Sequence, residues 1–206
     1  MKPFSVALCA AVLSLGAVST VPAAADSVSD AVQVCSGCHG EAGIPADPTF
    51  PIIWGQNRTY ILNQLRDFKF GKRKNDIMSG IVSTLSNTDM VGLAAYFAGQ
   101  KWPAIDHKAV SAETAKTADA VFDTINCSAC HQETFLGDTV RPRLAGQNEE
   151  YLVKTMTDFR SGERGNYLGM TALLRDRSDD EIKAVAQYLA GFKPPTHPDQ
   201  TATTKP

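Results

Sequence analysis

Two short segments, Cys35-Ser-Gly-Cys38-His39 and Cys127-Ser-Ala-Cys130-His131, repeat one set of reactive groups, two thiols and an imidazole, 92 residues apart. The spacing Cys-x-x-Cys-His attaches a c-type haem. Each thiol can join one vinyl group of the porphyrin as a thioether, and the His that follows is then held beneath the iron as its proximal ligand. Zinc competes for the same donors, because Cys-x-x-Cys supplies two ligands and His a third. A well-placed fourth ligand is missing, since the other His residues are His107 and His197 and the fifth Cys is Cys9. Disulfides are the common use of paired Cys in an exported chain. The adjacent His and the duplication favour haem. The reading is two covalently bound haem c groups on Cys35, Cys38, Cys127 and Cys130, with His39 and His131 as iron ligands.

The sixth iron position decides what such a site does. A Met there gives a closed site of raised potential, whereas an open position would allow ligand binding or catalysis. Met78, Met90, Met156 and Met170 are the candidates once Met1 is set aside. An internal repeat separates them. Pro51, Gly55-Gln56-Asn57, Tyr60, Phe68, Gly71, Arg73 and Asn75 match Pro142, Gly146-Gln147-Asn148, Tyr151, Phe159, Gly162, Arg164 and Asn166. Met156 matches Leu65 and Met90 matches Ile182, so both stand where any apolar residue serves the core. Met78 and Met170 match each other, each 39 residues after its His, and are expected in loops that fold over the far face of the haem. A carbonyl near Pro51 or Pro142 could accept the proximal Nδ1–H and fix the imidazole, although either Pro could equally do no more than shape its loop.

Helices must position these groups. The first of each half runs into the pentapeptide, with Val28, Val32 and Cys35 on one face, and Val121, Phe122 and Ile125 in the repeat. The second starts near Asn57 and carries Ile61, Leu65 and Phe68; its partner carries Leu152, Met156 and Phe159. The third opens at Ser86 with Asp89, or at Ser178 with Glu181, in capping-box spacing, and Gly99 or Gly191 is expected to stop it. No alternating strand pattern occurs, so the fold class expected is all-α. Tyr60, Tyr151, Tyr96 and Tyr188 read as packing residues.

The tandem Cys-x-x-Cys-His, the Pro…Gly-Gln segment after each, the Arg-x-Asn before each Met and the Tyr-x-Ala-Gly that ends each half resemble cytochrome c4, the exported dihaem class I c cytochromes. The resemblance implies two tandem cytochrome c domains packed about a pseudo-two-fold axis. It also implies electron delivery to a terminal oxidase or another respiratory partner. The expected division is a first domain at 26–101, a linker at 102–113, a second domain at 114–194 and a flexible tail at 195–206. The halves differ in places: Trp54 stands opposite Ala145, Leu85 opposite Arg177, and one residue is added before Met170.

Residues 1–25 read as a signal peptide, with Lys2, an apolar stretch from Phe4 to Val18 and a small-residue cleavage site ending at Ala25. The stretch is short and Ala/Ser-rich for a membrane anchor, and Leu8 before Cys9 argues against a lipoprotein. The expected location is the periplasm. The formal charge of −2 includes Lys2, so the mature chain carries −3, a balance that does not indicate nucleic acid. Expected partners are redox proteins: membrane oxidase or reductase complexes, reached by peripheral membrane association, or a flavoprotein. Lys69, Lys72, Arg73 and Lys74 form a basic run that reads either as a solvated loop or as a docking patch for an acidic partner. The leading function is an electron carrier and not an enzyme. The alternatives are a cytochrome subunit of a flavoprotein dehydrogenase of the sulfide dehydrogenase type, and a dihaem peroxidase, which would need a haem that opens a site.

Overall fold

In the computed structural model the described residues are 24–106 and 109–194. Most of the expected signal peptide with Cys9, His107, and the tail with Pro195 and His197 lie outside them. The described chain is all-helical: α1 Ala24–His39, α2 Arg58–Lys69, α3 Asp76–Val82, α4 Asn87–Ala98, α5 Ala112–Ile125, α6 Ser128–His131, α7 Glu149–Ser161, α8 Leu168–Leu174 and α9 Asp179–Gly191. None of the described helices is long and apolar enough to cross a membrane.

Two apolar clusters organise these helices. In the first half Ile61, Leu65 and Phe68 of α2 meet Met90, Leu93 and Phe97 of α4. In the second half Leu152, Met156 and Phe159 of α7 meet Ile182, Val185 and Leu189 of α9. Met90 and Met156 are thus core residues, 2% and 6% exposed. Both third helices open with a complete capping box, Ser86 with Asp89 and Ser178 with Glu181. One end meets expectation and the other departs from it. Gly99 caps α4 in an ordinary right-handed conformation, and Gly191 lies inside α9, which runs on to an extended Phe192.

The halves part at the first helix. α1 runs unbroken through Cys35 to His39. Its repeat stops at Asn126, which turns left-handed at φ 38°, and restarts as the single turn α6. The Asn126 side chain accepts the Ala129 N–H and the Ser128 hydroxyl, which holds the break.

The contrast between Trp54 and Ala145 is half of a size exchange. Gly43, at φ +79°, lies under the Trp54 indole, so that a methyl group there would stand 2.6 Å from Trp54 Cγ. The equivalent turn in the second half carries Phe135, at φ 51°, buried beside Ala145. Large over small in one half becomes small over large in the other, and volume is conserved. A double-mutant cycle should show this coupling. Gly43→Ala should cost at least about 2 kcal/mol more in chemical denaturation than Gly71→Ala, which has the same backbone sign but open space. Trp54→Ala in the same chain should remove most of that difference; additive costs would refute the coupling.

Candidate functional site

His39 ends α1 and His131 ends α6, and both are buried. His39 Nδ1 donates to the Pro51 carbonyl at 2.8 Å, and His131 Nδ1 to the Pro142 carbonyl at 3.1 Å. The Pro segments therefore do more than shape a loop. Matching turns precede them, closed by Asp47 on the Thr49 N–H and by Asp138 on the Val140 and Arg141 N–H groups. Burial pulls both imidazoles below the ordinary histidine pKa, with the carbonyl bonds opposing it. Each ring is neutral at pH 7, and with Nδ1 protonated its lone pair sits on Nε2.

Met78 and Met170 do not sit in loops. They lie in α3 and α8, two seven-residue helices that sequence periodicity does not reveal. Asn75 begins α3, its side chain accepting the Met78 N–H at 2.9 Å. α8 has no side-chain cap, and the Met170 N–H turns to the Tyr167 carbonyl at 3.0 Å. The helix of Met170 thus starts on a backbone turn where that of Met78 starts on a side-chain cap.

Cys35, Cys38, His39 and Met78 border a cavity of about 770 Å³, and Cys127, Cys130, His131 and Met170 border the same cavity from the other half. Met156 reaches it as well, as does Leu65, its match. Among the described residues no disulfide engages these four cysteines. Burial, with a smaller contribution from Cys38, pushes the Cys35 thiol up to about 11; burial and Cys130 do the same to Cys127. The thiolate is the metal-binding form, so thiols held protonated are poor ligands for a bare metal ion. Among the described residues no three or more His, Cys, Asp or Glu are grouped to hold a bare metal ion.

The cavity also carries charge. Arg73 and Arg164 line it, and neither forms a salt bridge with a described residue. Arg164, 5% exposed, donates to Gln64 Oε1 at 2.8 Å, to the Tyr60 hydroxyl at 3.2 Å and to Thr155. Arg73 donates to Gln64 Oε1 at 2.8 Å and to the Tyr151 hydroxyl at 3.1 Å. Burial pushes the Tyr151 phenol up, but the two guanidiniums outweigh it and bring it to about 7. Two cations in an apolar cavity with no carboxylate partner among the described residues suit a ligand with carboxylates. Thiols, neutral imidazoles, thioethers and guanidiniums together fit two porphyrins bearing propionates.

Gln56 and Gln147, whose repeat is visible in the sequence without a role, turn out to join the halves. The Ile52 N–H donates to Gln147 Oε1 at 2.8 Å, and Gln147 Nε2 donates to the Ile52 carbonyl at 3.0 Å. In mirror fashion the Arg143 N–H donates to Gln56 Oε1 at 2.8 Å, and Gln56 Nε2 to the Arg143 carbonyl at 3.0 Å. Asn57 reaches the Leu136 and Arg141 carbonyls and Asn148 reaches the Phe50 carbonyl. Trp102, placed in the linker by sequence, stacks on the Arg143 guanidinium 4.2 Å from its ring centre.

The basic run is largely spent on structure. Lys69 Nζ donates to the Ser83 and Leu85 carbonyls. Its repeat, Arg160, donates to the Arg177 carbonyl, so the cation rather than the side chain at 85 or 177 is the shared device. Arg73 faces inward. Lys72 and Lys74 alone remain as exposed cations of that run.

A Cytochrome c family model matches residues 115–193. Cytochrome c4 of Azotobacter vinelandii is 35% identical, over 90% of this chain and 98% of its own length. The thiosulfate dehydrogenase electron acceptor of Stutzerimonas stutzeri is also 35% identical, over 78% of this chain and 79% of its own. The crystal structure of reduced recombinant cytochrome c4 from Pseudomonas stutzeri superposes with a TM-score of 0.72 at 30% identity, covering 82% of this chain and 98% of that one.

If the four thiols are thioethers, the denatured protein should exceed the apo-chain mass by two haems, and no thiol should react with iodoacetamide. Cys127→Ala with Cys130→Ala should leave one haem, on the first half. A wild-type mass with a single haem, or alkylation at either pair, would sink the assignment.

Proposed function

The chain belongs to the cytochrome c4 family, and from that premise we propose how its residues serve a periplasmic carrier that passes electrons between respiratory partners. It is a dihaem electron carrier, not an enzyme, with two covalently bound haem c groups. The proposed attachment is through Cys35 and Cys38 in a domain at 26–101 and through Cys127 and Cys130 in a domain at 114–194, with 102–113 between them. His39 with Met78, and His131 with Met170, are the proposed axial pairs. The observation that carries this is that both His–Met sets border one cavity, each His with Nδ1 already engaged by a Pro carbonyl.

A bound haem supplies a one-electron Fe(III)/Fe(II) couple, which His/Met ligation places at raised potential. The chain's own part is to hold the imidazole in one tautomer, aim the thioether, and exclude water with the α2/α4 and α7/α9 cores. Two closed sites perform no bond chemistry, which disfavours the peroxidase alternative. Export with cleavage after Ala25 supplies the oxidising compartment. Delivery runs to a membrane oxidase or reductase complex by peripheral association. A second reading has a specific observation behind it: relatives named thiosulfate dehydrogenase electron acceptor match most of this chain, so a dehydrogenase is a candidate donor. Copurification of a dehydrogenase with the native protein would support that reading, and isolation as a free carrier would favour the first.

Met78→Ala should abolish the iron–sulfur charge-transfer band of the first haem and lower its potential, and Met170→Ala should do so for the second. Met90→Leu and Met156→Leu should keep both bands. Loss of a band in Met90→Leu with retention in Met78→Ala would overturn the ligand assignment.

Lys72→Glu with Lys74→Glu tests partner docking. Both side chains are exposed, and Lys74 stands at the cavity rim. Stopped-flow association with an acidic acceptor should slow and lose salt dependence, because such steering is screened within roughly 10 Å at about 0.1 M salt. Rates unchanged across ionic strength would return the pair to a solvated loop.

A further inference from the structure

The peptide group that fixes each proximal His is itself held by the opposite half. Pro51 C=O and Ile52 N–H belong to one amide. Its carbonyl accepts from His39 Nδ1 at 2.8 Å, and its N–H donates to Gln147 Oε1 at 2.8 Å. Pro142 C=O and Arg143 N–H form the matching amide, between His131 Nδ1 at 3.1 Å and Gln56 Oε1 at 2.8 Å. Gln56 and Gln147 are 4% and 2% exposed, so these bonds lie in low dielectric, where hydrogen bonds in series polarise one another.

We propose that Gln147 tunes the haem of the first half and Gln56 the haem of the second: each is a positioning residue acting in trans, through one amide, on the other half's proximal imidazole. An oxygen accepting from an amide N–H leaves more negative charge on that amide's carbonyl. The carbonyl then draws harder on the Nδ1 proton, the imidazole gains anionic character, and Nε2 becomes a better donor to ferric iron. Each half therefore depresses the potential of the other's haem. The second amide bond of each Gln, from Nε2 to the Ile52 or Arg143 carbonyl, fixes the side-chain amide so that the oxygen faces the N–H. The proposal rests on His39 and His131 being the proximal ligands.

The test uses the holoprotein, titrated through partial reduction while two-dimensional NMR follows the axial Met methyl and haem methyl resonances of each half. Gln147→Met keeps the volume and removes the acceptor. It should raise the potential of the Cys35/Cys38 haem, shifting its reduced-to-oxidised ratio roughly threefold, about 28 mV at 59 mV per decade, and leave the Cys127/Cys130 haem in place. Gln56→Met should do the reverse. It asks the same question should Gln147→Met fail to fold. Gln147→Glu, which restores an oxygen opposite the Ile52 N–H in either protonation state, should return the first haem to its wild-type potential or below. Asn148→Ala removes a neighbouring cross-half bond to the Phe50 carbonyl without touching the amide, and should shift neither haem. A shift on the same half as the substitution, equal shifts of both haems, or an Asn148→Ala effect as large as that of Gln147→Met would overturn the proposal. Wild-type spectra without axial imidazole resonances would instead overturn the ligand reading. With those resonances present, an absent trans shift defeats this proposal alone.

Discussion

A buried imidazole that presents one nitrogen to a cavity must satisfy the other, and much of this structure follows from how that is done. Nδ1 of His39 bonds a carbonyl from the loop after α1, so that loop has to run back beneath the ring. The next residue, Ile52, is then 1% exposed, and its N–H has no partner in its own half. Gln147 supplies one. The second half repeats the problem at Arg143 and takes its answer from Gln56. Leaving a buried donor or acceptor unpaired costs about 1–3 kcal/mol, a cost avoided in this fold because the opposite half brings its Gln to the Ile52 and Arg143 amides. The requirement on one ring nitrogen thus becomes a requirement that the two halves stay together.

The same reciprocity makes the differences between halves informative. Lys69 and Arg160 both close the turn before the third helix through carbonyl oxygens, so Leu85 and Arg177 are free to differ. At residue 177 the freedom is used for an ion pair with Glu181 at 3.0 Å. Asn75 and Asn166 began as one residue of the repeat, but their duties have separated. Asn75 caps the helix of Met78, while Asn166 donates across the interface to Asp67 at 2.7 Å. The helix of Met78 is fixed locally, whereas the chain leading to Met170 is tied to the first half. Equal ligand types therefore sit in supports of different origin.

What could be read from the sequence was what local chemistry determines. Cys-x-x-Cys-His needs its spacing, a capping box needs three residues, and a helix face needs its period; the three main helices of each half were legible for those reasons, and so was the pairing of Met78 with Met170. The seven-residue helices α3 and α8 were not, since two turns are too few for a period to declare itself. Lys69 looked like surface charge because its carbonyl partners are 14 and 16 residues away. Gln56 and Gln147 were visible as a repeated triplet, but their partners lie 87 and 95 residues off, and no local rule connects a polar residue to an amide in another domain. The signal available was the repetition of a Gln at a position where solubility alone would not require one.

The cavity ties these observations to folding. Each apolar cluster lies on one side of it, so what fills the cavity completes both cores at once. Arg73 and Arg164 press the point: their guanidiniums meet hydroxyls, amides and the Phe68 and Phe159 rings but no carboxylate among the described residues, and such cations are costly to hold in apolar surroundings unless an anion joins them. A porphyrin supplies both the apolar bulk and the carboxylates. Half-domains of about 80 residues bury little surface unaided, and binding to the folded state alone stabilises it. Covalent attachment removes the dependence on cofactor concentration. The thioethers therefore convert a ligand into part of the core, and the interface that the two Gln residues form becomes stable once both cores are complete.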